Sequence, residues 1–413
     1  MKFCMITTFF PPYNFGGDGI FIYRLVNELA KRGHQVDVVH CEDAYLLLQP
    51  KGPQGDFPCH ENVRIHKLRS RFGFLSPLLT QQTGSPGFKS RALSDILDNS
   101  HYDVIHFHNM SLIGITALRY GSAVKLYTTH EHWLVCPMHV LWKNNKELCA
   151  EKSCFSCTLA WKRPPQLWRY TGLLQRMLRE VDHFISPSRF TKQKHMAQGL
   201  DIPITHIPYF LPRRPSADCS PCEAGSASTG SHEFLFVGRL EKIKGVQDLI
   251  PLFRRRPTYR LSIAGDGTYA AELKEMAKGI QNIRFLGRCS HAQLSALYRK
   301  ANAVIVPSIC YEVFGIIIIE AFSYKTPVIV NNLGALPEVV HDSGGGIVYT
   351  GEGELERAVD TLAHNHELRD RLGQQGFEAY LKYWTEEYHC ELYFELIDQI
   401  RKAKGLNLPG VVR

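Results

Sequence analysis

Apolar residues in this chain come in short unbroken runs, and stretches of helical period separate the runs. KFCMITTFF (2–10) is a buried-type strand and HQVDVVHC (34–41) is the next. Between them GIFIYRLVNELAKRG (19–33) places its apolar residues three and four apart and ends on a glycine, as an amphipathic helix does. YDVIHFHN (102–109), AVKLYTTH (123–130) and DHFISPS (182–188) are further strand-like runs. A second series follows: EFLFVG (233–238), YRLSIAGDG (259–267), NIRFLG (282–287), ANAVIVPS (301–308) and TPVIVNN (326–332). Strands alternating with helices imply βαβ units and parallel sheets covered on both faces.

RRPSADCSPCEAGSASTGS (213–231) interrupts the alternation with Ser, Pro, Gly and Ala and has no period. It reads as a linker between two doubly wound α/β domains. The expected organisation is an N-terminal domain over 1–210 with a Cys-rich insert at 136–157, a linker over 211–232, a second domain over 233–385, and a closing helix over 386–413. In open parallel sheets, ligands bind beyond the carboxyl ends of the strands, so the loops at those ends are where chemistry is expected.

The bulk numbers narrow the partners. With 413 residues, 44% hydrophobic and 21% charged, the chain has the composition of an ordinary soluble protein. No apolar run reaches bilayer-spanning length. The start, MKFCMITTFFPP, reads as a first strand rather than a leader, so a cytoplasmic protein with reduced cysteines is expected. The net charge of +8 is one-sided: residues 1–210 hold 24 Lys and Arg against 16 Asp and Glu, and the remainder holds 24 against 24. A basic first half favours an anionic partner such as a phospholipid surface, a lipid diphosphate or an acidic glycan, though a solvated basic surface reads the same way. No nucleic-acid motif accompanies the charge.

Three loops carry candidate chemistry for a phosphorylated ligand. PPYNFGGDGIF (11–21) runs a strand into a Gly pair, Gly16-Gly17, and then into a helix. Backbone can approach a ligand closely there, although many βα turns contain such pairs. GRLEKIKG (238–245) sets Arg239 and Lys244 after a strand, where a guanidinium fork and a flexible ammonium can jointly neutralise a diphosphate. YEVFGIIIIEAFSYKTPVIV (311–330) places Glu312 and Glu320 on either side of a Phe314-Gly315 turn. A loop opening a helix offers free N–H groups to phosphate, and the carboxylates can accept from sugar hydroxyls. The run Ile316–Ile319 favours strand by propensity, against that helix. A buried helix with two incidental glutamates is the plain alternative.

Two further features have a less direct reading. Cys136, Cys149, Cys154 and Cys157 follow C-x12-C-x4-C-x2-C, and four thiolates would satisfy tetrahedral zinc or hold an iron–sulfur cluster. A reduced, unliganded thiol cluster is the alternative. WKRPPQLWRYTGLLQRMLRE (161–180) interleaves aromatic and basic residues, which suits a peripheral membrane contact or a packed helix with solvated arginines.

Taken together, these motifs resemble the retaining, GT-B-type glycosyltransferases of family 4. The glycine loop, G-R-L-x-x-x-K-G, IAGDG, the E-x7-E segment and VNNLGALPEVV carry the resemblance across nearly the whole chain. It implies a GT-B fold: two Rossmann-like domains facing a cleft, with a C-terminal helix crossing back to the first. The implied activity is retaining transfer from a nucleotide-diphosphate-sugar to a glycan or lipid-linked acceptor, in cell-surface polysaccharide or glycolipid synthesis. The chemistry would need no metal. Glu312 would contact donor-sugar hydroxyls, Phe314-Gly315 would line the sugar and phosphates, and Glu320 would bind the ribose. Arg239 and Lys244 would stabilise the leaving diphosphate, and Gly16-Gly17 would lie over the phosphates. His130, in TTHEHW (128–133), matches the family's active-site histidine, with Glu131 where Asp is usual and His108 as a weaker candidate for the same place. Tyr209 stands where the family's interdomain stretch has Asn. A non-catalytic nucleotide-sugar-binding scaffold and a GT-B epimerase are the rival readings.

Overall fold

A computed structural model describes residues 1–49, 52, 53, 55–213 and 232–406. Most of the linker expected at 211–232 lies outside the described residues, together with Cys219 and Cys222, a C-x2-C pair that reads as incidental in the sequence. The chain forms two compact units: Met1–Pro208 together with the chain from His389 onward, and Tyr209–Tyr388. The return to the first unit falls inside the helix Glu386–Ala403.

In the first unit, β1 (Lys2–Thr7), β2 (Gln35–Cys41), β3 (Val63–Leu68), β4 (Val104–Phe107) and β5 (Val124–Thr128) belong to one sheet. A two-residue hairpin, β6 (Trp142–Lys143) with β7 (Glu147–Leu148), stands apart from it. The strands β8 (His183–Ser186) and β9 (Ile204–His206) complete the sheet, in the order β3-β2-β1-β4-β5-β8-β9. Every pairing in it is parallel. Burial on both faces explains the unbroken apolar runs: β1, β4 and β5 are buried almost throughout. The expected helix forms over Gly17–Lys31 and buries Phe21, Ile22, Leu25, Val26 and Leu29 against the sheet.

The second unit continues with β10 (His232–Val237), β11 (Tyr259–Ala264), β12 (Ile283–Gly287), β13 (Ala303–Val306), β14 (Val328–Asn331) and β15 (Gly346–Tyr349). They form a parallel sheet in the order β12-β11-β10-β13-β14-β15. Residues Ile316–Phe322 are helical, so the isoleucine run does not follow its strand propensity. Topology decides this. β13 and β14 pair directly and in parallel, and such neighbours need a crossover between them. A helix there buries Ile318, Ile319, Ala321 and Phe322. Both units are Rossmann-like, and the fold is GT-B.

In each sheet the strand order reverses beside the first strand, between β1 and β4 in one and between β10 and β13 in the other. These are the switch points at which open α/β sheets bind ligands. Among the described residues no helix is long and apolar enough to cross a membrane.

Candidate active site

In the second unit the two loops beyond β10 and β13 meet at the switch point. Gly245, with φ of +74°, lies so close to Pro307 that a Cβ there would sit 1.9 Å from the Pro307 carbonyl oxygen. Ile309 N–H donates to Ile243 O at 2.9 Å. This zipping brings Lys244 against the next loop, where its Nζ donates to Glu312 Oε1 at 2.6 Å and Ser308 Oγ donates to the same oxygen at 2.7 Å. The two charged side chains are 19% and 17% exposed. Burial works to lower the Lys244 pKa, but the Glu312 carboxylate outweighs it and holds the ammonium above its ordinary value. Burial likewise pushes Glu312 up, and Lys244 outweighs it, holding the carboxyl below its ordinary value. Both groups are therefore charged near neutrality.

Arg239 lies within electrostatic reach of the pair, and its Nη1 donates to Glu241 Oε1 at 2.8 Å. Gly334, at φ +69°, backs the carboxylate loop; a Cβ there would meet Glu312 N at 2.7 Å. Phe314 is buried, and Gly315 caps the Ile316–Phe322 helix at φ +90°. Glu320, one turn into that helix, accepts from Tyr298 OH at 3.0 Å. Of the expected donor residues in this unit, the structure brings Lys244 and Glu312 into contact and sets Arg239 beside them. Glu320 is placed on a different partner.

In the first unit, Gly16 N–H donates to Asn14 Oδ1 (3.3 Å), and Gly17 opens the helix Gly17–Lys31. The loops beyond β1 and β4 are joined where Thr8 N–H donates to Asn109 O (2.6 Å). His130, beyond β5, is 5% exposed, and its Nε2 lies 2.8 Å from His108 Nδ1. Phe21, from the helix behind the glycine pair, packs its ring 5.7 Å from His130 and 5.3 Å from His389. Burial, with His389 nearby, pushes His130 down to about 3, and burial holds His106 and His108 well below the ordinary histidine range. The cluster is neutral at physiological pH, so each shared hydrogen bond fixes a tautomer rather than a charge.

Sequence reasoning missed Ser308, although its place just beyond a strand was a usable signal. It also missed the far ends of the histidine web: His106, bonded to Tyr393 OH (2.9 Å) and Thr128 Oγ1 (2.7 Å), and His389. The 161–180 segment departs from a single amphipathic stretch. It forms a short 3-10 turn, Leu167–Tyr170, and a helix, Leu173–Leu178. Trp168 is buried, and Arg169 lies across the Trp133 and Trp168 rings, donating to Trp133 O at 2.8 Å. Cys136, Cys149, Cys154 and Cys157 line one small cavity. As the side chains stand, no group of three or more His, Cys, Asp or Glu among the described residues is positioned to hold a metal.

Known proteins bear on these two half-sites. Residues 15–211 match the profile "Glycosyltransferase Family 4" and residues 224–379 match "Glycosyl transferases group 1". The chain belongs to the family 4, group 1 glycosyltransferases. A glycogen synthase of Mycobacterium tuberculosis is 40% identical over 134 residues, which span 31% of this chain and 32% of that protein. An uncharacterised glycosyltransferase of Methanocaldococcus jannaschii is 26% identical over 84% of this chain and 85% of its own length. Among solved structures, a sucrose-phosphate synthase from Thermosynechococcus elongatus superposes with a TM-score of 0.75 at 19% identity, covering 97% of this chain and 99% of that one. Anabaena HepE, solved with UDP and glucose, gives a TM-score of 0.68 at 17% identity over 97% and 100% of the two chains.

Proposed function

We propose that this glycosyltransferase moves a sugar from a nucleotide-diphosphate-sugar to a glycan or lipid-linked acceptor, with retention and without a metal in the chemistry, in cell-surface polysaccharide or glycolipid synthesis. The observation that carries the reading is the Lys244–Glu312 contact beside Arg239 at the switch point of the second sheet. Two cations and a hydroxyl-accepting carboxylate at one place fit a sugar joined to a diphosphate. HepE, with UDP and glucose, supports a donor of that class.

In this reading the acceptor oxygen bonds to the sugar's anomeric carbon on the face the diphosphate leaves. The bond from that carbon to the phosphate oxygen breaks, and the acceptor proton passes to the departing phosphate. Arg239 and Lys244 stabilise charge that grows on the diphosphate in the transition state. Glu312 orients sugar hydroxyls, Glu320 the ribose, and His130 the sugar's outer hydroxyls.

The lipid-linked acceptor is supported by an apolar surface in the first unit. Phe72, Phe74, Leu75, Leu78 and Phe88 are 41–59% exposed on and around the helix Leu75–Thr83, and Phe72 stacks on Phe88 at 4.2 Å. Lys67 and Arg69, 52% and 71% exposed, precede it. Clustered apolar residues flanked by cations suit an anionic membrane face.

The test is a thermal-shift screen against UDP-, GDP-, ADP- and CMP-linked sugars, followed by incubation with the donor that stabilises. Release of nucleoside diphosphate supports transfer or hydrolysis, and a glycosylated acceptor formed in step with it establishes transfer. An epimerised donor, or a donor that binds with no turnover under any acceptor, overturns it in favour of an epimerase or a scaffold.

A further inference from the structure

The segment that follows His130 packs around sulfur. Residues 134–166 hold only the β6–β7 hairpin and the helix Cys154–Ala160 as regular structure. Their buried side chains include Cys136, Met138, Leu141, Trp142, Cys149 and Cys157. Five of the six non-glycine residues with positive φ among the described residues fall here or just beside it: His139, Leu141, Asn144, Asn145 and Lys162. Such conformations cost backbone strain and persist where the surroundings over-determine them. The described cysteines are all free thiols.

Four of these thiols gather at one place. They come from three separate pieces of this segment and line one cavity of ≈ 10 Å³, which is room for one small occupant. Ser153 Oγ is buried, has no hydrogen-bond partner, and belongs to a residue lining the same cavity. Backbone N–H groups are directed at sulfur: Asn144 N–H donates to Cys157 Sγ at 3.2 Å, and the N–H groups of Leu141 and Met138 bear on Cys136. Such donors suit thiolate better than thiol, and they form the usual outer shell of a thiolate metal site. Burial raises Cys136, Cys149 and Cys154 above the ordinary thiol range, so without an ion they are thiols; Lys143 and Lys194 near Cys149, and Lys152 and Arg169 near Cys154, oppose that rise. Four thiolates around a divalent ion leave a charge of two minus, which these cations offset. The sulfurs do not stand in ligating positions, but one χ1 rotation moves a sulfur by roughly 3 Å between staggered wells.

We propose that Cys136, Cys149, Cys154 and Cys157 bind one zinc ion that braces the loop carrying His130. Four thiolates also suit an iron–sulfur cluster, and elemental analysis separates the two. The mechanical link is short. Cys136 N–H donates to His132 O at 2.8 Å, His132 N–H donates to His139 O at 3.0 Å, and His139 Nδ1 lies 2.6 Å from Glu131 Oε2. The ion therefore positions the neighbours of His130 and takes no part in the transfer reaction. The inference is independent of the proposed function, because its readout is metal content.

The full chain, desalted after purification in zinc-containing medium, is analysed by elemental mass spectrometry. A mercurial then displaces any thiolate-bound zinc, and a chromogenic chelator follows its release. About one zinc per chain is expected, released in step with modification of about four thiols. The Cys154→Ser, Cys157→Ser double variant should lose it, and Cys289→Ser, in the other unit, should keep it. Cobalt substitution should give the intense visible bands of a tetrahedral thiolate site. Wild-type protein that holds no zinc while its thiols react freely would overturn the proposal. So would iron with acid-labile sulfide in place of zinc, or full zinc retention by the double variant.

Discussion

Lys244→Ala tests the second half-site most directly, because the structure sets bounds on its effect. The pair is 2.6 Å long, and its side chains are 19% and 17% exposed. Breaking a fully buried pair costs about 3–5 kcal/mol, and an exposed one contributes about 0–1 kcal/mol. A site mostly closed to water, in which Glu312 keeps only the Ser308 hydroxyl, falls between these limits at about 2–3 kcal/mol. For a domain of this size each kcal/mol moves Tm by roughly 2–4 °C, so the second unit's transition should fall by about 4–12 °C. The pH dependence has two arms. Glu312 is held below its ordinary value, so its contribution is present above the unfolded pKa of about 4.3 and is lost as pH falls through the folded value. Lys244 is held above its ordinary value, so its contribution is present below about 10.4 and is lost as pH rises through the folded value.

The assay is calorimetry of wild type, Lys244→Ala, Glu312→Gln and the double variant across that range. The Tm gap between wild type and Lys244→Ala should be widest near neutrality and narrow as pH falls, starting above the ordinary carboxylate range because burial without Lys244 pushes Glu312 up in the variant. The double-variant cycle should return a coupling of at least about 1 kcal/mol. Turnover of the best donor should fall about 100-fold in kcat, as on loss of a transition-state donor. A Lys244→Ala protein that melts like wild type throughout and keeps kcat within about twofold would refute both the pairing and the assigned role.

Gly245→Ala should destabilise by at least about 2 kcal/mol and weaken nucleotide binding, since its Cβ would sit 1.9 Å from Pro307 O at φ +74°. Gly279→Ala, at φ +78° with nothing within 4 Å, is the control and should cost only about 1 kcal/mol in denaturant melts. His130 is pushed down to about 3, and His40, His195 and His389 to about 4, so the unfolded chain binds more protons and stability falls as pH drops below about 6.5. All four lie in the first unit, and each should cost it about 2 kcal/mol at pH 5 relative to pH 7, so its calorimetric transition should move down far more than that of the second unit. Phe74→Asp with Leu78→Asp should abolish flotation with anionic liposomes while changing stability by less than about 0.5 kcal/mol, because both side chains are exposed; undiminished flotation would move the membrane contact elsewhere.

The fold was legible where burial on both faces made a strand uniformly apolar. Each apolar run of the second series became a strand, and β1, β2, β4, β5 and β8 were equally plain. The strands that escaped notice are short or half-exposed. β3, VRIHKL, lies at the sheet edge and mixes Arg, His and Lys with Ile, and β9 has three residues. The site was legible as residue types near strand ends, but contacts between distant loops were not. Lys244 and Glu312 are 68 positions apart, and they meet because Gly245 lets the chain pass against Pro307. His106 and Tyr393 are 287 apart and meet through the returning C-terminal helix. Arg169 shows the opposite error. A charge in a basic run reads as surface, but two tryptophan faces and two backbone carbonyls make a place for a guanidinium inside.

The two cations of the second half-site are held differently, and the difference assigns them separate work. Arg239 is 51% exposed, and Glu241, its partner, is 29% exposed. Such a pair contributes about 0–1 kcal/mol and is screened by salt, so an entering diphosphate can take the guanidinium at little cost. Lys244 is enclosed, but an ammonium has three donors. It can keep its bond to Glu312 and still offer a second N–H to phosphate, and Glu312 fixes the direction of that offer. Arg239 should therefore govern capture and Lys244 the chemical step. Arg239→Ala should raise the donor's Kd most strongly at low ionic strength, with the penalty shrinking as salt is added. The kcat loss of Lys244→Ala should depend less on salt, because its contact with Glu312 is mostly buried and is screened less than an exposed pair. If both variants lost affinity in parallel and with the same salt dependence, the cations would form one diffuse patch, and the distinction drawn from their burial would be wrong.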